Sequence, residues 1–429
     1  MPKLNVDTRG LLHLGKLSKG YFLTTIINQA IPFLILPILT RFLSPTEYGT
    51  LALFTFYLTL TNALVGSSMQ SVISKSFFKK EKKEIAVIVG NGVVIVGSIS
   101  LIVFVLLLII HPYAVEFLNL PLQWLLIIPP SSMAFVVFYM ALSVMRNAKK
   151  VLTFGKFKVG NTIVDVSTSL ILITILLWSW QGRAVGIIIA YFASAIAALI
   201  YLNKEGYLSF SITKDKIQSI LKVLIPLIPN AFQAIIISRV GIFFMQYYYT
   251  KELLGLYTIG FQIAVMLQLL VATLAMSWGP YLYEELSNKK QINKLYLARL
   301  FYALSGILVI GALFINFTAS FILRVMTTPE YYDAVEFLPW FAFGFVFFGF
   351  YTFLTPILID GEQQKYISVV TLINVILMLI FNFWFVDLFG YIGIAYAFCL
   401  TYFLMFAAFF VKSQKVLPLP WLQALQIWK

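Results

Sequence analysis

Charge is scarce in this sequence. Only 11% of its residues are Asp, Glu, Lys or Arg, where soluble domains carry roughly a quarter, and hydrophobic residues make up 61%. The longest polar stretches, 75 to 84, 146 to 158, 204 to 222 and 284 to 299, are too short to bury a core, which excludes a soluble domain beside the apolar part. Cysteine is almost missing: Cys399 stands alone in an apolar run, so there is no disulfide framework and no cysteine-based metal site. His13 and His111 are as isolated, and neither is assigned to chemistry. There is no Gly-x-x-x-x-Gly-Lys-Ser/Thr run, so nothing points to ATP as the energy source.

What fills the chain instead is uncharged apolar sequence. Residues 85 to 110, 300 to 323, 337 to 359, 366 to 386 and 392 to 411 contain no charged side chain, and each is long enough to cross a bilayer, which needs roughly 20 residues. An all-α polytopic membrane protein follows. Twelve spans are expected, near 20 to 42, 48 to 72, 85 to 110, 122 to 145, 159 to 180, 184 to 203, 222 to 249, 253 to 277, 299 to 323, 336 to 359, 366 to 386 and 392 to 411. The basic first 19 residues are like the front of a signal peptide. The run that follows reaches Phe42 without a small-residue cleavage pattern, so it is expected to stay as the first span.

The net charge of +14 is scattered between spans rather than gathered in one patch, so nucleic acid is not expected as a partner. With the N-terminus inside, 26 of the 31 basic residues fall on the inner side, and only Arg41, Arg183, Lys251 and Arg324 fall outside. This bias places both termini in the cytoplasm.

Two echoes divide the chain. Arg41-Phe-Leu-Ser-Pro-Thr-Glu47-Tyr-Gly49 after the first span matches Tyr248-Tyr-Thr-Lys-Glu252-Leu-Leu-Gly255 after the seventh, and Val185-Gly-Ile-Ile-Ile-Ala-Tyr191 matches Ile392-Gly-Ile-Ala-Tyr-Ala-Phe398. Their common offset predicts two pseudo-symmetric six-helix bundles around a central cavity. The expected organisation is an N-terminal lobe 1–203, a cytoplasmic linker 204–221, a C-terminal lobe 222–412 and a cytoplasmic tail 413–429.

The opening Pro37-Ile-Leu-Thr-Arg41-Phe-Leu-Ser-Pro-Thr-Glu47-Tyr-Gly49, the mid-chain Glu252-Leu-Leu-Gly255-Leu-Tyr, and the late Asn374-Val-Ile-Leu-Met-Leu-Ile-Phe-Asn382 leading to Gly390-Tyr-Ile-Gly393 resemble Wzx-type polysaccharide flippases. These belong to the superfamily of multidrug, oligosaccharidyl-lipid and polysaccharide exporters. The resemblance implies movement of an undecaprenyl-diphosphate-linked oligosaccharide across the bacterial plasma membrane by alternating access, for O-antigen, capsule or exopolysaccharide synthesis. The partners it implies are that lipid-linked sugar, membrane lipid, and polysaccharide polymerase and chain-length proteins. The alternative is a cation-coupled multidrug exporter of the same superfamily. An enzyme is not expected, because the short outer loops offer no catalytic carboxylate motif.

Arg239 is the sharpest single feature, a guanidinium inside the seventh span. Insertion there costs about 2.5 to 3.5 kcal/mol at a span centre, so it needs a wet cavity or an anionic partner. It serves either as a phosphate-binding cation, by the bidentate fork of its guanidinium, or as a structural residue paired with Asp165 or with freed carbonyls. Asp165, in the fifth span, either binds a coupling proton or sodium ion or is an Arg-paired or snorkelling residue. Arg41 and Arg146, at opposite ends of their spans, either receive a diphosphate at the cavity mouths or anchor the interface. Asn28, Gln29, Gln233 and Gln246, with Asn161, Gln262, Asn374 and Asn382, either line a sugar path or bond neighbouring helices. Neither a cofactor nor a metal is expected.

Overall fold

The computed structural model describes residues 31, 33–66, 68–287 and 292–426. Among them every regular element is helical. In chain order these are α1 (Leu36–Phe42), α2 (Pro45–Val65), α3 (Met69–Phe77), α4 (Lys82–Ile109), α5 (His111–Leu118), α6 (Leu122–Asn147), α7 (Val151–Leu170), α8 (Ser179–Lys204), α9 (Lys214–Leu224), α10 (Ile228–Tyr248), α11 (Lys251–Ser287), α12 (Lys294–Met326), α13 (Leu338–Asp360), α14 (Gln364–Phe389), α15 (Gly393–Val416) and α16 (Trp421–Leu425).

Nine helical stretches among the described residues are long and apolar enough to cross a membrane, and Lys214–Gln233 with Ile235–Tyr248 passes the same test as a broken pair. The last stretch, Gln364–Val416, is two helices: Gly390, at φ 65°, breaks it, and α14 and α15 pack on each other. The expected first span, 20 to 42, lies largely outside the described residues. The other expected spans fall on helical stretches, the seventh, 222 to 249, on the broken pair, and two more differ locally. The second is broken at Gly66, whose φ of 135° no ordinary side chain adopts, and restarts as α3. The fifth runs Val151–Ile175 rather than 159 to 180, and Lys158 within it donates from Nζ to Tyr139 Oη at 2.6 Å, so that its charge has a partner inside the protein.

Contacts divide the chain into two compact units, Met1–Leu43 with Thr50–Ile235, and Ser44–Gly49 with Ile236–Lys429. This differs from the linker expected at 204–221. That stretch is built into the first unit: Ser209 N donates to Ala86 O at 3.1 Å, and Ile220 and Leu224 of α9 are buried in the core.

The first unit packs α3, α4, α6, α8 and α9 around Met69, Val89, Val136, Phe138 and Met140. Small residues set the helix separations, as in other membrane bundles where close van der Waals contact drives association. At Gly186 of α8 an added Cβ would lie 2.0 Å from Ser169 Oγ of α7. The second unit is aromatic at its centre: Phe261 of α11 meets Phe341 and Phe345 of α13 and Phe398 of α15 at centroid distances of 5.2, 5.6 and 5.6 Å.

The first sequence echo has a structural cause in each copy. Ser44 caps α2: its backbone N donates to Glu47 Oε2 at 2.8 Å, while Glu47 N donates to Ser44 Oγ at 3.4 Å, a reciprocal capping box with Pro45 following the cap. In the matching segment Thr250 Oγ1 accepts from Leu253 N at 3.3 Å at the start of α11. Both motifs are helix starts.

Candidate substrate-binding site

Asp165 lies mid-way along the span Val151–Ile175, and α8 folds back against α7 after a three-residue turn. The return brings Arg183 to Asp165. Both guanidinium terminal nitrogens engage the carboxylate, Nη1 on Oδ1 and Nη2 on Oδ2 at 3.1 Å, and Nη1 also donates to Ser169 Oγ at 2.7 Å. The side chains are 12% and 21% exposed, so the pair is largely out of solvent. Of the two roles expected for Asp165, the structure supplies the Arg partner, and that partner is Arg183 rather than Arg239. Arg183, expected outside as a topology signal, is the residue that sequence reasoning missed. The available signal was an opposite charge at the start of the next span.

Below this pair on the same face of α7, Asn161 Nδ2 donates to Ser194 Oγ at 3.0 Å and to Ala190 O at 3.1 Å. Lys158, Asn161, Asp165 and Ser169 thus form one polar row at helical spacing, each joined to a neighbouring helix. Asn161 acts as interhelical glue. So do Gln262, which accepts from Tyr48 Oη at 2.6 Å, and Asn374, whose Nδ2 lies 3.3 Å from Met405 Sδ.

Arg239 is different. It sits half-buried on α10 with Tyr257 of α11 close enough for electrostatic contact, and among the described residues it makes no ion pair and no hydrogen bond. Close approach of the two helices is secured at Gly241, where a Cβ would lie 2.1 Å from Tyr257 Oη. Gln246, two turns further along α10, is buried and has a partner.

In the first unit Arg146 ends α6 and opens onto a cavity of about 510 Å³ lined by Ser68, Gln70, Ser71, Ser74, Leu227 and Ala231. The break at Gly66 makes it possible, since α3 restarts with hydroxyls at every third residue. Ser74 Oγ is 3.1 Å from Ser143 Oγ and accepts from Asn147 Nδ2 at 3.0 Å, and Ser143 Oγ donates to Gln70 O at 3.2 Å. A cation beside fixed hydroxyls suits phosphate and sugar oxygens. The serines were not foreseen, though their spacing in the sequence was visible. Gln233 is half-buried with its Nε2 unpartnered, and Arg41 is exposed in the last turn of α1. Asn28 and Gln29 lie outside the described residues. Arg146, Asp165, Arg41 and Gln233 belong to the first unit, Arg239 and Gln246 to the second.

The family described as "Polysaccharide biosynthesis protein" matches residues 19–285. The chain belongs to that family. A membrane protein of Haemophilus influenzae named as uncharacterized is 22% identical over 288 residues, 65% of this chain and 67% of that protein. Among solved structures, "Lipid II flippase MurJ, inward closed conformation" is similar at a TM-score of 0.71 and 14% identity, over 95% of this chain and 90% of that one. A multidrug resistance MATE family transporter of the MOP superfamily, in an inward-facing conformation, matches at 0.71 and 13%, over 90% and 94%. The fold is therefore the multi-pass helical fold shared by a flippase and a multidrug transporter.

Proposed function

We propose that this member of the polysaccharide biosynthesis family moves a polyprenyl-diphosphate-linked oligosaccharide from the inner to the outer leaflet of the bacterial plasma membrane. The observation that carries the proposal is a charge imbalance inside the spans. The mid-span carboxylate, Asp165, is already neutralised by Arg183, while the mid-span cation, Arg239, has no carboxylate among the described residues. An uncompensated guanidinium in a spanning helix costs a few kcal/mol unless an anion visits it, and a diphosphate is such an anion. The Arg146 cavity, with its serine hydroxyls, supplies a second phosphate- and sugar-compatible surface. A drug exporter handling cations calls for the reverse balance.

The polar head needs shelter from hydrocarbon, while a polyprenyl tail stays in lipid, so only the head has to be enclosed. Alternating access of the kind used by paired-bundle transporters meets that need. The excess of basic residues in the loops read as inner supports an orientation with both termini in the cytoplasm. Export of a head with charge about −2 gains roughly 4.6 kcal/mol per 100 mV of inside-negative potential, so the voltage itself gives direction. Coupling to a proton or sodium ion at Asp165 would have to displace Arg183 from the carboxylate. The polymerase and chain-length proteins that act on such a substrate are the expected partners.

The test is reconstitution into liposomes with an inside-loaded, fluorescently marked lipid-linked oligosaccharide. Outward movement that rises with an imposed potential is expected. Export of cationic drugs with no movement of the glycolipid would establish the multidrug reading instead.

A further inference from the structure

A second basic groove lies in the first unit, apart from the Arg146 cavity. It runs between α4 and α9, has a volume of about 250 Å³, and is lined by Lys80, Lys83, Glu84, Asn91, Lys216 and Ser219 with apolar walls from Val87, Ile88 and Ile220. The spacing explains its form. Lys83, Val87 and Asn91 recur every four residues on one face of α4, and Lys216, Ser219 and Ile220 share a face of α9, whose buried Ile220 and Leu224 hold it against the unit.

Three features point to an occupant. The first is charge: Glu84 is taken by Lys80 at 3.4 Å, which leaves Lys83 and Lys216 in excess. Lys216 uses one of its three donors on Ser211 Oγ at 2.8 Å. The second is an orphan acceptor. Asn91 is fully buried, its Nδ2 donates to Ser211 O at 3.1 Å, and that bond fixes which way the amide points. Its Oδ1 is left without a partner in a residue that lines the groove, and a buried unpaired acceptor costs about 1 to 3 kcal/mol. The third is level. Helix α4, long and apolar enough to cross a membrane, starts at Lys82, and the end of such a helix is where lipid phosphates lie.

We propose that this groove binds the headgroup of an anionic glycerophospholipid of the phosphatidylglycerol type. Lys83 and Lys216 take the phosphodiester, and Asn91 Oδ1 accepts from a headgroup hydroxyl. Lys83 stands eight residues before Asn91, about 12 Å of helix rise, a gap that a lysine stem and a glycerophosphate headgroup bridge together. Phosphatidylcholine has neither net charge nor a headgroup donor, so the groove discriminates against it twice.

The experiment uses the full-length protein in detergent, offered equimolar phosphatidylglycerol, phosphatidylmethanol and phosphatidylcholine, with retained lipid read by native mass spectrometry. Phosphatidylglycerol is expected to be retained at least ~10-fold over phosphatidylcholine, the discrimination of about 1.4 kcal/mol that one charge-assisted contact supplies. Phosphatidylmethanol, an anionic diester without the hydroxyl, is expected between them, and that ranking needs no variant. Lys83→Ala with Lys216→Ala should bring phosphatidylglycerol down to the phosphatidylcholine level, and Lys83→Arg with Lys216→Arg should restore it. Equal retention of the three lipids overturns the proposal. So does a preference untouched by the double alanine variant, or displacement of the lipid by a few millimolar inorganic phosphate, which would mark a site for free phosphate.

Discussion

Gly49 and Gly255 lie under each other's helix starts. A Cβ on Gly49 would sit 1.9 Å from Lys251 O, and one on Gly255 would sit 2.0 Å from Pro45 O. Pro45 and Lys251 stand at the same separation in sequence as the two glycines, so the contact is reciprocal in the way a two-fold related pair requires. The motif that echoes in the sequence therefore has a shared packing role as well as a shared cap.

Gly49→Ala and Gly255→Ala should each force the two helix starts apart. The expected cost is about 1 to 3 kcal/mol, as for other over-packed contacts, read as a lower melting temperature of the purified protein. The double variant should cost less than the two singles added, because the first substitution already opens the space the second needs. Strict additivity would mean that the two contacts are independent.

Arg239→Ala should reduce glycolipid movement at least ~10-fold with protein abundance within about two-fold of wild type, since the guanidinium has no structural partner among the described residues. Arg239→Lys should recover part of the activity, as a point charge replaces a fork. Full movement in the alanine variant removes Arg239 from the substrate path.

The Asp165–Arg183 pair should behave asymmetrically. Arg183→Met leaves a carboxylate stranded in a spanning helix and should cost about 3 to 5 kcal/mol, read as lost abundance, while Asp165→Leu with Arg183→Met should recover most of it. If Asp165 couples transport to an ion, Asp165→Asn should abolish the response to an imposed proton or sodium gradient. An unchanged response would leave the carboxylate a purely structural role.

Lys150 and Glu205 lie outside the spans, joined at 2.5 Å, and the hydrogen bond that Lys150 Nζ donates to the Glu205 carboxylate holds the ammonium above its ordinary value of 10.5. Stabilisation by a raised ammonium is complete below that value and is lost only as pH rises through the higher folded one. The pair should therefore leave stability flat from neutral to mildly alkaline pH. With both side chains more than a third exposed, Glu205→Gln should cost at most about 0.5 kcal/mol in a melting experiment.

Spanning segments were legible because uncharged runs admit only one solvent, and the helix starts because Ser-Pro-Thr-Glu carries its capping chemistry locally. Arg239 was legible for the same reason: a charge where none is affordable stands out. Pairing between spans was not, because it depends on rotation about helix axes that apolar sequence leaves unspecified. Arg183 reads as a loop residue until α8 is turned against α7, and Gly186 reveals the facing side only once Ser169 is seen beside it. The packing of the stretch 204–221 was hidden for a related reason. Its polarity suggests a linker, whereas the buried Ile220 and Leu224, one turn apart, hold the otherwise exposed α9 against the first unit.

The Asp165–Arg183 contact also constrains biogenesis. Neither α7 nor α8 can partition alone into hydrocarbon without carrying a bare charge, and only the residues 176–178 separate the π turn at the end of α7 from α8. Entry of the two arms together as a pre-neutralised hairpin spares the few kcal/mol that each bare charge costs.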